Sequence, residues 1–200
     1  MNRVYYQEQT LEGIARKAIE RYDPQICCSK GTAIPIENII ETHGLSLEYQ
    51  YLRNDGRILG ETIFTDGLTA VYNKDTQSYQ LIPVQAGTIL IDASLCQDHA
   101  NVGRLRFTCA HELSHWLLHR QFYERRGTHA AMLSSSQDDQ HEIQANLLGA
   151  ILLMPMPLVK RCFYDLRPRH SDEQLICKMA TVFQVSKQAM RIRLESHKLL

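Results

Sequence analysis

No stretch of this 200-residue chain is long and apolar enough to suggest a membrane span. The longest uninterrupted apolar run, Ala150 to Met154, falls far short of the roughly 20 residues a spanning helix requires. The amino-terminal MNRVYYQEQ lacks the basic-then-apolar pattern of a secretion signal. The six cysteines (Cys27, Cys28, Cys96, Cys109, Cys162 and Cys177) include no CxxC pair, and no small disulfide framework surrounds them. They read as free thiols, mostly in the core. Internal repeats and low-complexity tracts are absent as well. These absences predict a cytoplasmic protein, and at 44% apolar residues a chain of this length can fill a core without staple or partner.

Net charge is also zero, but it is unevenly distributed. From Met156 onward there are nine basic and four acidic residues, which gives the tail +5 and leaves −5 on the rest. Such a tail suits an acidic partner or nucleic acid, although a solvated basic face is the commoner meaning.

What is present divides into three stretches. Residues 10 to 22 place Leu11, Ile14, Ala15, Ala18, Ile19 and Tyr22 at helical spacing, and Pro35 opens a second short helix that His43-Gly44 closes. Between Leu45 and Leu95 come β-type runs: LSLEYQYL, ILGETIF, LTAVYN, SYQLIPV and TILIDASL. Short turns at Asn54-Asp55-Gly56, Asp66-Gly67 and Ala86-Gly87 separate them, which predicts a small antiparallel sheet. From Val102 the pattern is helical, over 102 to 120, about 138 to 154, 172 to 183 and 186 to 196. Ser134-Ser135-Ser136 followed by Asp138 and Asp139 is a helix start, and Pro155 and Pro157 end that helix. The boundary falls near residue 165, so residues 1–165 form the main domain and 166–200 a helical tail.

Chemistry concentrates in FTCAHELSHWLLH. On a helix His111 and His115 stand one turn apart on one face, so two ring nitrogens can meet one ion. Glu112, about 100° around the axis, can reach a metal-bound water without ligating the metal. A catalytic zinc needs a third protein ligand and an open position. His119 sits about 12 Å along the axis from His111, too far to share an ion. A third histidine ten residues after the first is excluded, because position 121 is Gln. Glu124, His129, Asp138, Asp139, His141 and Glu142 remain. Glu142 is favoured by helical geometry: residues 142, 145, 146 and 149 share one arc as Glu, Ala, Asn and Gly, a face that is otherwise small and can approach a partner helix closely. Ile143, Leu147, Ala150, Ile151 and Met154 form a separate apolar face. His141 points elsewhere, as a surface residue or a support behind a ligand, and Cys109 faces away from the metal into the core.

The pairing of HELSHWLLH with EIQANLLGAILLMP resembles the ImmA/IrrE family of metallopeptidases, in which an HExxH helix is joined to an ExxAN helix ending in Leu-Met-Pro. TILIDASL followed by RLRFTCAHE, and the tail VFQVSKQAMRIRL, resemble the segments flanking those motifs, so the likeness covers roughly residues 35 to 196. Gly149 stands where Ala is usual in the family. The resemblance implies an α+β zincin-like metallopeptidase domain: a small antiparallel sheet, an HExxH helix, a third-ligand helix and a helix-turn-helix-like C-terminal tail. It also implies that Glu142 is the third metal ligand. The cofactor is then Zn2+, with Mn2+ also compatible, since some family members are manganese-activated and a His2Glu set accepts manganese or iron. The mechanism implied is metal-assisted hydrolysis with Glu112 as general base, and Tyr123 and His129 are candidate oxyanion donors. By the same resemblance, the protein substrate is an Xre-type helix-turn-helix repressor or antitoxin.

A rival reading comes from residues 172 to 196, where helix, tight turn and helix place Phe183, Val185, Ala189, Met190 and Leu194 on an inner face. Lys187, Arg191 and Arg193 are then candidate phosphate or partner contacts. This would make the chain a DNA-binding regulator with a structural metal. Against it, Gln184 takes the turn position usually given to glycine, and the pI is about 7.1. A structural site also has no use for the glutamate inside HExxH.

Overall fold

The computed structural model describes residues 6–97, 102–127 and 138–200. Its first helix, α1 (Glu8–Tyr22), buries Leu11, Ala15, Ala18 and Ile19, the stripe expected from their spacing. A second, α2 (Ile36–Thr42), follows Pro35 and buries Ile36, Ile39 and Ile40. Five strands come next: β1 (Ser46–Gln50), β2 (Gly60–Thr62), β3 (Gly67–Asn73), β4 (Ser78–Val84) and β5 (Thr88–Asp92). The rest is helical: α3 (Val102–Arg126), α4 (Asp138–Leu153), α5 (Met156–Leu166), α6 (Asp172–Phe183) and α7 (Lys187–Ser196). The fold is α+β, as expected. Among the described residues no single helix is long and apolar enough to cross a membrane.

The strands do not form one antiparallel sheet. They form a three-stranded mixed sheet in the order β1-β5-β2 and a separate β3–β4 hairpin. β1 runs parallel to β5, from Ser46 opposite Thr88 to Gln50 opposite Asp92, whereas β2 pairs antiparallel with β5. A parallel pair is possible because the hairpin and β2 lie between β1 and β5 in the chain and serve as a long crossover. All five residues of β5 are buried, as befits a central strand covered on both faces. Ile89 and Ile91 join the main core, while Leu90 joins a smaller cluster with Leu52, Ile63, Val71 and Val84 beneath the hairpin. Asp92 closes the strand: its carboxylate accepts hydrogen bonds from Leu52 N (2.8 Å) and Ser94 N (2.9 Å), tying the end of β5 to the segment after β1.

Pro155 and Pro157 do end α4, but they also begin another helix. Pro155 is the residue before α5, and Pro157 occupies its first turn, where a missing N–H costs nothing. The tail packs into the same core: Leu175, Ile176, Met179 and Phe183 of α6, with Met190 and Leu194 of α7, are buried with α1, α3 and α4 residues. Gln184 turns the chain between α6 and α7 in a left-handed conformation (φ 52°, ψ 50°), the backbone state for which glycine is ordinarily chosen.

Arg193, expected among the phosphate or partner contacts, is turned inward. Its side chain is 8% exposed; Nε donates to Met154 O at 3.1 Å, Nη1 to Glu8 Oε1 at 2.7 Å, and Nη2 to Glu12. His197 Nε2 lies 2.8 Å from the same Glu8 oxygen. The guanidinium is therefore committed to joining α7 to α1 and cannot meet a phosphate. Lys187 is exposed, and Arg191, also exposed, lies 3.7 Å from Glu195. The serine run at 134–136 and His129 lie outside the described residues.

Candidate metal centre and its cleft

The two central helices meet at a glycine. A Cβ built on Gly149 would stand 3.2 Å from His111 N and 3.3 Å from His111 Cα, so α4 approaches the α3 backbone closely enough that even a methyl group there would be tight. Ala145, one turn earlier, is fully buried. Two turns before Gly149, this approach delivers Glu142 to the histidines. Glu142 Oε2 lies 3.2 Å from His111 Nε2, its Oε1 lies 3.1 Å from His115 Nε2, and the two Nε2 atoms are 3.0 Å apart.

His111, His115 and Glu142 form the one candidate metal cluster among the described residues. Their spacing suits an ion: ligand atoms at 2.0–2.1 Å from a tetrahedral zinc stand roughly 3.3 Å from one another. The donor set, two imidazoles and a carboxylate, is likewise a zinc set. Burial raises the pKa of the Glu142 carboxyl, but hydrogen bonds and charge from His111 and His115 outweigh it and hold the group well below the usual carboxylate range. For His111, burial works against the charged form, and the Glu142 hydrogen bond overcomes it and raises the pKa. The cluster thus keeps its carboxylate ionised, the form a cation needs.

Each histidine is held from behind. His111 Nδ1 lies 3.1 Å from Asn146 Oδ1, and His115 Nδ1 lies 3.3 Å from His119 Nδ1. His119 Nε2 is in turn 3.0 Å from Gln144 Oε1. Burial, with His141 and His115 as neighbours, pushes the His119 imidazole down to about 3, so it is neutral near pH 7. His141 stacks on that ring at 4.1 Å between centroids.

Glu112 stands beside the cluster without joining it. Its Oε2 accepts from Thr62 Oγ1 at 2.7 Å, and that hydroxyl also lies 2.9 Å from the Glu112 carbonyl oxygen. Its other oxygen faces Gly60, where an added Cβ would be 2.6 Å from Oε1. Strand β2 therefore cups the glutamate, Gly60 leaving room and Thr62 fixing one oxygen. The cluster and Glu112 open onto a cleft of about 580 Å³, walled by β2 and its lead-in (Ile58, Leu59, Gly60, Glu61) and by Arg104 and Phe107 of α3.

The structure brings together His111, Glu112, His115 and Glu142 as expected and separates Tyr123 from them. Tyr123 is 3% exposed, stacks on Phe64 at 4.7 Å between ring centroids, and places its hydroxyl 3.1 Å from His141 Nδ1. It does not line the cleft, so it is not positioned as an oxyanion donor. Cys109 is buried, with its pKa raised by burial, and belongs to the core. Sequence reasoning missed Asn146, Gln144, Thr62 and Gly60. Asn146 had a signal, standing four residues after Glu142 on the arc assigned to the metal; Gly60 and Thr62 had none, because nothing local shows which strand will face the HExxH helix.

Two histidines and a carboxylate converging on one point, with a further carboxylate held beside them in a cleft, define the class as a metallopeptidase-type centre on an α+β fold. Residues 73–195 match the IrrE N-terminal-like domain family, Peptidase_M78, and the chain belongs to that family. A comparison with curated proteins finds no match.

Proposed function

We propose that this metallopeptidase is a zinc-dependent endopeptidase that makes a site-specific cut in a cytosolic Xre-type helix-turn-helix repressor or antitoxin and so relieves repression. The observation that carries the peptidase chemistry is the placement of Glu112: outside the His111, His115 and Glu142 cluster, in the same cleft, and fixed by Thr62 through one oxygen only. Zinc held by the cluster would supply Lewis acidity and lower the pKa of a coordinated water. Glu112 Oε1, on the Gly60 side, takes the proton of the attacking water and returns it to the leaving nitrogen. Oε2 stays on Thr62 throughout, which keeps the moving proton on one atom.

β2 is an edge strand of its sheet and runs along the cleft. A substrate segment in extended form can add to such an edge by main-chain hydrogen bonds, which brings its carbonyl past the cluster. That geometry favours a linker or exposed loop over a packed helix. The choice of repressor as substrate is supported by the family likeness, and the exposed Lys187 and Arg191 are available to an acidic region of that partner. The test is to incubate a candidate repressor with the wild type, with and without a chelator, and to measure fragment masses. One pair of fragments that disappears with chelator supports the reading; a repressor left whole while unfolded proteins are digested freely refutes it.

A further inference from the structure

An imidazole can offer a metal only a nitrogen that carries no hydrogen. Ligation through Nε2 therefore requires the hydrogen to sit on Nδ1, and the group facing Nδ1 decides how firmly it stays there. For His111 that group is Asn146 Oδ1, a plain acceptor at 3.1 Å. For His115 it is another imidazole nitrogen, His119 Nδ1 at 3.3 Å, which can donate or accept according to its own tautomer. The contact between the two rings leaves the direction open. The far end closes it: His119 Nε2 faces Gln144 Oε1 at 3.0 Å, and an amide oxygen only accepts.

We propose that Gln144 and His119 form a hydrogen-bond relay that sets the tautomer of His115 and so presents its bare Nε2 to the metal. Gln144 Oε1 holds the hydrogen on His119 Nε2, which leaves His119 Nδ1 bare. That nitrogen accepts the Nδ1 hydrogen of His115, and His115 Nε2 is left with a free lone pair beside His111 Nε2 and Glu142 Oε1. One hydrogen occupies each link and no charge is needed anywhere in the chain. The relay is sealed from water: His115, His119 and Gln144 are 1%, 3% and 8% exposed, and the His141 ring covers His119. Without it a neutral histidine favours the opposite tautomer, with hydrogen on the nitrogen the metal must use. His119 and Gln144 are therefore positioning residues, reached only through His115.

The inference rests on the metal-site reading, and its test separates the two. Zinc affinity is measured by chelator competition for the wild type, His119→Leu and His119→Gln, with thermal melts alongside. His119→Leu removes the acceptor and is expected to weaken zinc tenfold to a hundredfold, the usual effect of losing a partner behind a ligand. His119→Gln, whose amide oxygen can accept from His115 Nδ1 directly, is expected to stay within about threefold of wild type. In zinc-loaded, 15N-labelled wild type, a scalar coupling across the hydrogen bond between Nδ1 of His115 and Nδ1 of His119 is the signature that a purely space-filling role would not give. It is read on the unmodified protein, so a variant that fails to fold does not remove the test. A Leu variant that binds zinc as wild type does, or a His115 Nδ1 hydrogen uncoupled to His119, overturns the relay and leaves the metal site standing. A wild type that takes up no zinc overturns both.

Discussion

Replacing Gly60 with alanine should disable the base without disturbing the metal. Gly60 does not sit at positive φ, so alanine is conformationally permitted there and the effect is one of contact alone. The new Cβ would fall 2.6 Å from Glu112 Oε1, 2.7 Å from Cγ and 2.9 Å from Cδ. To regain ordinary contact the carboxylate must retreat by roughly 0.8 Å, and a misplacement near 1 Å in a reacting group costs on the order of 100-fold in rate. Rotation of the carboxylate alone does not relieve the clash, because Cγ is also too close and Oε2 is held by Thr62. The overpacking should lower stability by about 1–3 kcal/mol. His111, His115 and Glu142 are untouched, so zinc per chain should not change. The assay is kcat on any substrate the wild type cleaves, with zinc content and a denaturant melt on the same preparation. A Gly60→Ala protein with wild-type kcat, or one that loses zinc together with activity, would refute the reasoning.

Thr62→Val keeps the shape and removes the donor to Glu112, so kcat should fall by about tenfold to a hundredfold while zinc binding holds; steady-state kinetics with metal analysis checks it. Arg193→Ala removes the donor to Met154 O, leaves Glu8 with His197 alone and Glu12 with Met156 N alone, and urea melts should show a loss of roughly 1–3 kcal/mol. The same network sets a pH dependence. Burial raises the Glu8 pKa, but hydrogen bonds and charge from Arg193 and His197 prevail and lower it. A depressed carboxyl stabilises the fold fully above its unfolded value and loses that contribution as pH falls through the lower folded value. Melting temperature should therefore drop on the acid side, below about pH 4.5. Glu8→Gln should flatten that drop.

The candidate metal ligands were legible because each lies on a helix, where spacing alone decides which side chains share a face. His111 and His115 follow from i, i+4, and Glu142 from the small residues on its arc, of which the structure buries Ala145 and sets Gly149 against the α3 backbone. The sheet was less legible. Alternation identifies a strand and its faces but carries no record of its neighbours, so the β runs gave no hint that β1 would lie parallel to β5 with β2 on its other side. For the same reason Thr62 and Gly60 could not be tied to Glu112, some fifty residues away in the chain. Helix α5 was hidden by reading Pro155 and Pro157 only as terminators, when a proline suits the first turn of a new helix equally well. Arg193 was misassigned because its charge was weighed above its position: it stands three residues after Met190 and beside Leu194, on the buried side of α7.

The central claim is that three residues hold a metal and a fourth, which does not, performs the proton transfer. It is tested most directly by preparing wild type, Glu112→Gln and Glu142→Ala side by side and measuring zinc per chain and substrate cleavage on each. Wild type and Glu112→Gln should both carry near one zinc while only wild type cleaves, and Glu142→Ala should lose zinc and activity together. A Glu112→Gln protein that still cleaves, or a Glu142→Ala protein that keeps its zinc, would contradict the account.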